Sequence, residues 1–86
     1  SVKILQSGFY FITNNIGNGL YKLHIETAGN DKIRFSVIDA NGRRIMNSFS
    51  NGSGDQTIDI TNYSSGIYLL QIQKGQYLFT EKLIKL

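Results

Sequence analysis

His24, the aspartates Asp55 and Asp59, the run Asp39-Ala40-Asn41-Gly42 and the pair Arg43-Arg44 are the residues of this 86-residue chain whose types and spacing bear on chemistry. A histidine titrates near neutral pH and serves as a general base or activates a serine or cysteine nucleophile. His24 is the only histidine, no cysteine exists to pair with it, and its neighbours alternate like the wet face of a strand. A hydrogen-bonded surface histidine accounts for it. The Asp-x-Asn-Gly run begins like a calcium loop, but its glycine arrives two residues early and no bidentate Glu closes it. A hairpin turn centred on Asn41-Gly42 is the expectation instead. Asp55 and Asp59 form at most a loose acidic pair, and alternation with Thr57 reads them as exposed strand residues. No glycine-rich loop precedes a helix, so a phosphate cradle lacks its context. No catalytic residue, metal site or cofactor is expected, and the chain reads as a non-enzyme.

Composition narrows the class further. At 86 residues the chain is one domain, 1–86, at a size where a single modest core folds with little to spare. With no cysteine there is neither a disulfide scaffold nor a thiolate metal site, so packing must hold the fold together. Nine basic against six acidic residues give a net charge of +3, with the cations scattered apart from Arg43-Arg44. Nucleic-acid binding calls for clustered positive charge with interleaved aromatics, so no nucleic-acid partner is expected. No stretch approaches the roughly 18 apolar residues of a membrane-spanning helix. The chain opens Ser-Val-Lys rather than with Met, which reads as a piece of a longer protein.

The elements that must position these residues are strands. Turn signals recur at short intervals: Gly17-Asn18-Gly19, Ala28-Gly29-Asn30-Asp31, Asn41-Gly42, Asn51-Gly52-Ser53-Gly54, Ser64-Ser65-Gly66 and Lys74-Gly75. Between them the hydrophobic period is two: Tyr21, Leu23 and Ile25 alternate with polar neighbours, as do Ile33, Phe35 and Val37, and Ile58 and Ile60. The pattern predicts about seven strands, near Phe9 to Ile12, Leu20 to Thr27, Lys32 to Asp39, Arg43 to Phe49, Gln56 to Ile60, Gly66 to Gln73 and Gln76 to Lys85. No segment sustains a helical period. The fold class is all-β, and seven short antiparallel strands at this spacing predict an immunoglobulin-like β-sandwich. Tyr68, just after the Gly66 turn, suits either a tyrosine corner, its hydroxyl returning to nearby backbone, or an ordinary half-buried position.

The last strand breaks the alternation. Tyr77, Phe79, Glu81, Leu83 and Lys85 share one face and Leu78, Thr80, Lys82, Ile84 and Leu86 the other, so both mix apolar groups with charge. Two explanations stand: a bulge that switches the strand's orientation part way, favoured by the frequency of bulges at sheet edges, or a partner that covers the outer side. The strand runs to the end of the chain without a polar tail, an arrangement that exposes an edge and permits self-association along it. Lys82 and Lys85 would then act as gatekeepers against promiscuous pairing.

Four runs together resemble a known family: Asp39-Ala40-Asn41-Gly42-Arg43, Thr57-Ile58-Asp59-Ile60-Thr61-Asn62, Ser65-Gly66-Ile67-Tyr68-Leu69-Leu70-Gln71-Ile72 and Phe79-Thr80-Glu81-Lys82-Leu83-Ile84-Lys85. In order and spacing, over roughly residues 20 to 86, they are similar to the C-terminal sorting domain of type IX secretion cargo proteins, in its type A form. Such domains commonly open with a Tyr-Pro-Asn-Pro stretch. Here the corresponding place reads Phe11 to Gly19, and the chain has no proline.

The resemblance implies a secretion signal that is itself a folded domain, joined to an upstream cargo domain. In the family the cargo passes through the periplasm and crosses the outer membrane of Bacteroidota by a translocon that recognises this domain. It ends secreted or at the cell surface, where a sortase-like protease removes the domain and an outer-membrane shuttle protein holds it by its terminal region. Carried onto this chain, the grip falls on Lys82, Leu83, Ile84, Lys85 and Leu86, with Asp39, Gly42, Arg43, Gly66 and Tyr68 as motif residues shaping the fold. The alternatives are an immunoglobulin-like adhesive or carbohydrate-binding module, with Tyr10, Tyr21, Tyr63 or Tyr77 stacked on a sugar ring, and a spacer without a partner.

Overall fold

The computed structural model describes the backbone of residues 2–6 and the whole of residues 8–86. Among the described residues, eight strands follow one another: β1 (Val2–Gln6), β2 (Phe9–Gly17), β3 (Leu20–Glu26), β4 (Lys32–Ile38), β5 (Arg44–Asn51), β6 (Gly54–Asp59), β7 (Gly66–Lys74) and β8 (Tyr77–Lys85). The seven expected strands are present, and β1 is an addition that the sequence pattern did not reveal. All pairings are antiparallel, in two sheets of order β1-β2-β3-β6 and β5-β4-β7-β8. The non-sequential pairs β3–β6 and β4–β7 are the crossings of an immunoglobulin-like sandwich.

The period-two pattern sets the faces. Phe9, Phe11, Tyr21, Leu23, Ile25 and Ile58 of the first sheet meet Ile33, Phe35, Val37, Tyr68, Leu70, Ile72 and Leu83 of the second, all buried. Apolar burial on this scale is the dominant favourable term for a domain with no covalent staple. Where the Tyr-Pro-Asn-Pro opening would lie, β2 runs for nine residues and turns through Asn18 and Gly19, both at positive φ, into β3. Gly19 is required by more than its φ of 90°. A Cβ there would stand 2.9 Å from Lys85 Cε and 3.1 Å from the Ile60 carbonyl.

The expected bulge in the last strand is absent. β8 pairs with β7 in one unbroken register from Gly66↔Lys85 to Lys74↔Tyr77. The inward charges of β8 are accommodated at the margin of the sandwich. Glu81 accepts a hydrogen bond from the Thr13 hydroxyl, and the Lys85 ammonium donates to the carbonyls of Thr61, at 2.9 Å, and Tyr63. Bulge-type register shifts occur elsewhere, in β4–β5 between Val37 and Ile38, in β2–β3 between Asn15 and Gly17, and in β1–β2 between Ile4 and Gln6. The first of these allows Ile45 and Met46 both to pack against the core while Arg44 pairs with Ile38.

Candidate recognition site at the C-terminal strand

Among the described residues β8 lies at the end of its sheet, paired with β7 on one flank only. An edge strand presents every second residue's N–H and C=O to whatever lies beside it. Of the five residues expected to form the grip, Lys82, Ile84 and Leu86 are exposed, Ile84 at 51% and Leu86 at 96%. Leu83, at 4% exposure, belongs to the core. Lys85 is half-buried, and its bonds to the 61–63 carbonyls make it a strap rather than the free gatekeeper expected from sequence. Only Lys82 keeps the gatekeeper's exposed position.

The strap is built from several elements. Ile60 N–H donates to the Gly19 carbonyl at 2.9 Å and Tyr63 N–H to the Ile60 carbonyl at 3.1 Å, which fixes the loop that Lys85 reaches. Asp59 accepts from the Thr61 N–H at 3.0 Å and hydroxyl at 2.6 Å, and these bonds hold its carboxyl below its usual range. Across the sandwich, the Tyr21 hydroxyl donates to the Ile84 carbonyl at 2.9 Å. Burial pushes the Tyr21 phenol's pKa up, so it remains a neutral donor. Thr13, Gly19 and Tyr21 were missed as residues that hold the last strand. The one available signal was Tyr21 on an inward face, since a buried hydroxyl must find an acceptor.

The motif residues converge on the same end of the molecule. Asp39, Arg43, Tyr63, Ser64, Gly66 and Tyr68 line one cleft of about 170 Å³. The Asp39 carboxylate accepts from the Asn41 N–H at 3.0 Å, the Arg43 N–H at 2.9 Å and Arg43 Nε at 3.2 Å, and the Arg43 backbone bond leads in lowering its pKa. Gly42, at φ 81°, closes the turn with its N–H on the Asp39 carbonyl. The hairpin expectation therefore holds. The Tyr68 hydroxyl donates to the Ser64 carbonyl at 2.5 Å, four residues back, which makes it a tyrosine corner. Gly66, at φ 152°, pairs with Lys85 at the start of β7. A second cleft of about 300 Å³ opens beside β8, lined by Thr13, Asn15, Tyr21, Glu81, Leu83 and Ile84 among others.

The other chemical candidates lie elsewhere. His24 Nδ1 sits 2.5 Å from Asp55 and Nε2 3.1 Å from Glu26, on the outer face of β3 and β6. The Asp55 bond, then the Glu26 bond, raise the His24 pKa, and the same contact lowers that of Asp55. Among the described residues no group of three His, Cys, Asp or Glu side chains is arranged to hold a metal ion; in this cluster both ring nitrogens of His24 are taken up by the carboxylates. The tyrosines form no row for a sugar. Tyr21 is buried, Tyr10 is half-buried on β2, Tyr63 sits in the 61–65 loop, and Tyr77 stacks on Phe79 at the opposite end of β8.

No curated protein matches the chain. A family model described as secretion system C-terminal sorting domain matches residues 21–86, a span that starts after the β2–β3 turn and takes in every motif named above. The chain belongs to the family of C-terminal sorting domains that direct cargo through type IX secretion.

Proposed function

We propose that this domain is recognised through β8, with the side chains of Lys82, Ile84 and Leu86 and the outer backbone edge, apart from the Ile84 carbonyl that Tyr21 holds, in contact with the receptor and Leu83 and Lys85 holding the strand in place. The observation that carries this reading is a strand at the edge of its sheet among the described residues, with large apolar side chains in solvent. Pairing along an exposed edge supplies affinity through main-chain hydrogen bonds, and alternate side chains supply selectivity. Asp39, Gly42, Arg43, Gly66 and Tyr68 act as scaffold for the end of the molecule where the strand finishes. Residues 1–86 serve as one sorting unit attached to an upstream cargo. Its partners are the type IX translocon, a sortase-like protease and an outer-membrane shuttle protein, met on passage from the periplasm to the cell surface. The domain performs no catalysis of its own.

The test must separate recognition from folding. Deleting residues 82–86 removes a core leucine and the Lys85 strap together, so loss of export would be ambiguous. A periplasmic reporter fused to the domain should reach the cell surface, and Ile84→Asp with Leu86→Asp should cut surface reporter by about tenfold or more, the scale of a lost interface anchor. Both positions are solvent-exposed, so the melting temperature should stay within a few degrees of the parent. Undiminished export by that double variant would refute recognition through β8.

A further inference from the structure

The register of the two sheets sorts charge by face in a way that composition conceals. On the outer face of β5-β4-β7-β8 the charged side chains are Lys32, Arg34, Arg44 and Lys82, with no Asp or Glu among the described residues. The outer face of β3 and β6 carries Glu26, Asp55 and Asp59 against Lys22 and His24. The remaining acids are engaged away from the basic face: Asp31 with Lys74, Asp39 with Arg43, and Glu81 with Thr13 on the inner side.

Apolar exposure on the basic face is equally uneven. One row across the sheet reads Arg44, Ile38, Leu69 and Lys82, and beside it, nearer the end of the chain, Ile67 pairs with Ile84. Ile67 is 49% exposed and Leu69 37%. With Leu86 beyond Ile84, these residues make an apolar strip with a cation on either side, Arg44 and Lys82 standing three strands apart, about 14 Å. A polar row of Asn47, Ser36, Gln71 and Thr80 separates the strip from Phe49 and Leu78 at the far end, where Lys32 covers the Phe49 ring at 4.2 Å.

We propose that this strip docks a protein surface in which an apolar stripe is flanked on both sides by carboxylates, so that the receptor of β8 is acidic where it meets Arg44 and Lys82. The inference builds on the reading of β8 as the recognition strand and names what its receptor must present. Complementary charge at the margins of an apolar contact speeds encounter and rejects wrong partners. An anionic lipid surface shares the charge but not the fit. The strip adjoins the open edge of β8, and hydrocarbon there would leave backbone N–H and C=O groups without partners, which apolar media penalise heavily. A receptor strand or loop can satisfy those groups.

A photo-crosslinking amino acid, benzoylphenylalanine, placed at Leu69 of the full cargo chain in secreting cells tests this, with Thr57 on the opposite face as control. The expected result is a protein adduct at position 69 well above that at 57, with Asp or Glu beside apolar residues in the cross-linked peptide. Combining R44E with K82E should lower the adduct yield about tenfold at unchanged melting temperature, since both side chains are exposed. The inference is overturned by a lipid adduct, by a cross-linked peptide without carboxylates, by a yield indifferent to charge reversal, or by no adduct above the control. Export lost in the Ile84→Asp, Leu86→Asp variant, together with a charge-indifferent adduct, would sink this inference while the role of β8 stands. Export kept by that variant would sink both.

Discussion

Tyr68 and Tyr21 illustrate how a single hydroxyl serves this fold, one within a hairpin's reach and one across the sandwich. The Tyr68 ring is in the core and its hydroxyl satisfies the Ser64 carbonyl, locking the turn that introduces β7. Tyr68→Phe keeps the ring and loses one hydrogen bond, so it should cost about 1 kcal/mol. In a domain of this size that corresponds to a drop of roughly 4–8 °C in the melting temperature. An unchanged melt would mean that the corner contributes nothing to stability. The corner was one of two readings the sequence left open, because a tyrosine two residues after a turn glycine, at the head of a late strand, is a local pattern that an ordinary half-buried ring shares. The bond from Tyr21 was not. Its acceptor, the Ile84 carbonyl, is 63 residues away, and strand alternation tells only that the ring points inward.

At the scale of the element, β8 divides its work by face. Leu83 fills the core between the sheets, whereas Ile84 next to it lies on the outer surface. Leu83→Ala should therefore destabilise by about 2–5 kcal/mol, while Ile84→Ala should change stability by under about 0.5 kcal/mol. Chemical denaturation of the pair checks this directly. Equal losses would mean that the strand is buried on both sides or that its register differs. The Lys85 strap gives a second test on the same element. Gly19→Ala places a methyl group against Lys85 Cε and the Ile60 carbonyl at a positive φ, with a cost of roughly 1–3 kcal/mol. Hydrogen exchange in residues 82–86 should accelerate with it, and exchange confined to the β2–β3 turn would show that the strap does not depend on this glycine. Sequence reading favoured a bulge here because charge fell on both faces of the strand. It could not foresee that at the margin of a small sandwich an inward Glu reaches a hydroxyl of the opposite sheet and an inward Lys reaches carbonyls of the loop between β6 and β7.

For the molecule as a whole, the two-sheet architecture followed from turn spacing and period-two alternation, because each hairpin is specified locally. The separation of charge between faces did not, since a net charge of +3 says nothing of sides until the register is known. Local pairs, most of them on the acidic face, set the pH response of the fold. On the acidic face His24 lies between Asp55 and Glu26, and its pKa is raised first by the Asp55 bond and then by the Glu26 bond. Its stabilising contribution is fully present below the unfolded histidine value near 6.5 and is lost as pH rises through the higher folded value. Asp55, Asp39 and Asp59 are shifted the other way, chiefly by His24, by the Arg43 N–H and by Thr61 respectively. Their contribution is present above the unfolded carboxyl value near 4 and is lost as pH falls through the lower folded values. Stability should therefore be greatest between about pH 4 and 6.5 and decline on both sides, gently, because these groups are solvent-exposed and screened. Thermal melts of the parent and of His24→Gln from pH 3 to 9 should show the parent weakening from pH 6 to 9 and the variant nearly flat over that range; below pH 4 both should weaken through Asp39 and Asp59, the variant less because Asp55 has lost the bond that chiefly lowers its pKa. A parent that gains stability from pH 6 to 9, or a variant that weakens as the parent does, would show that the Asp55–His24–Glu26 cluster does not couple to folding.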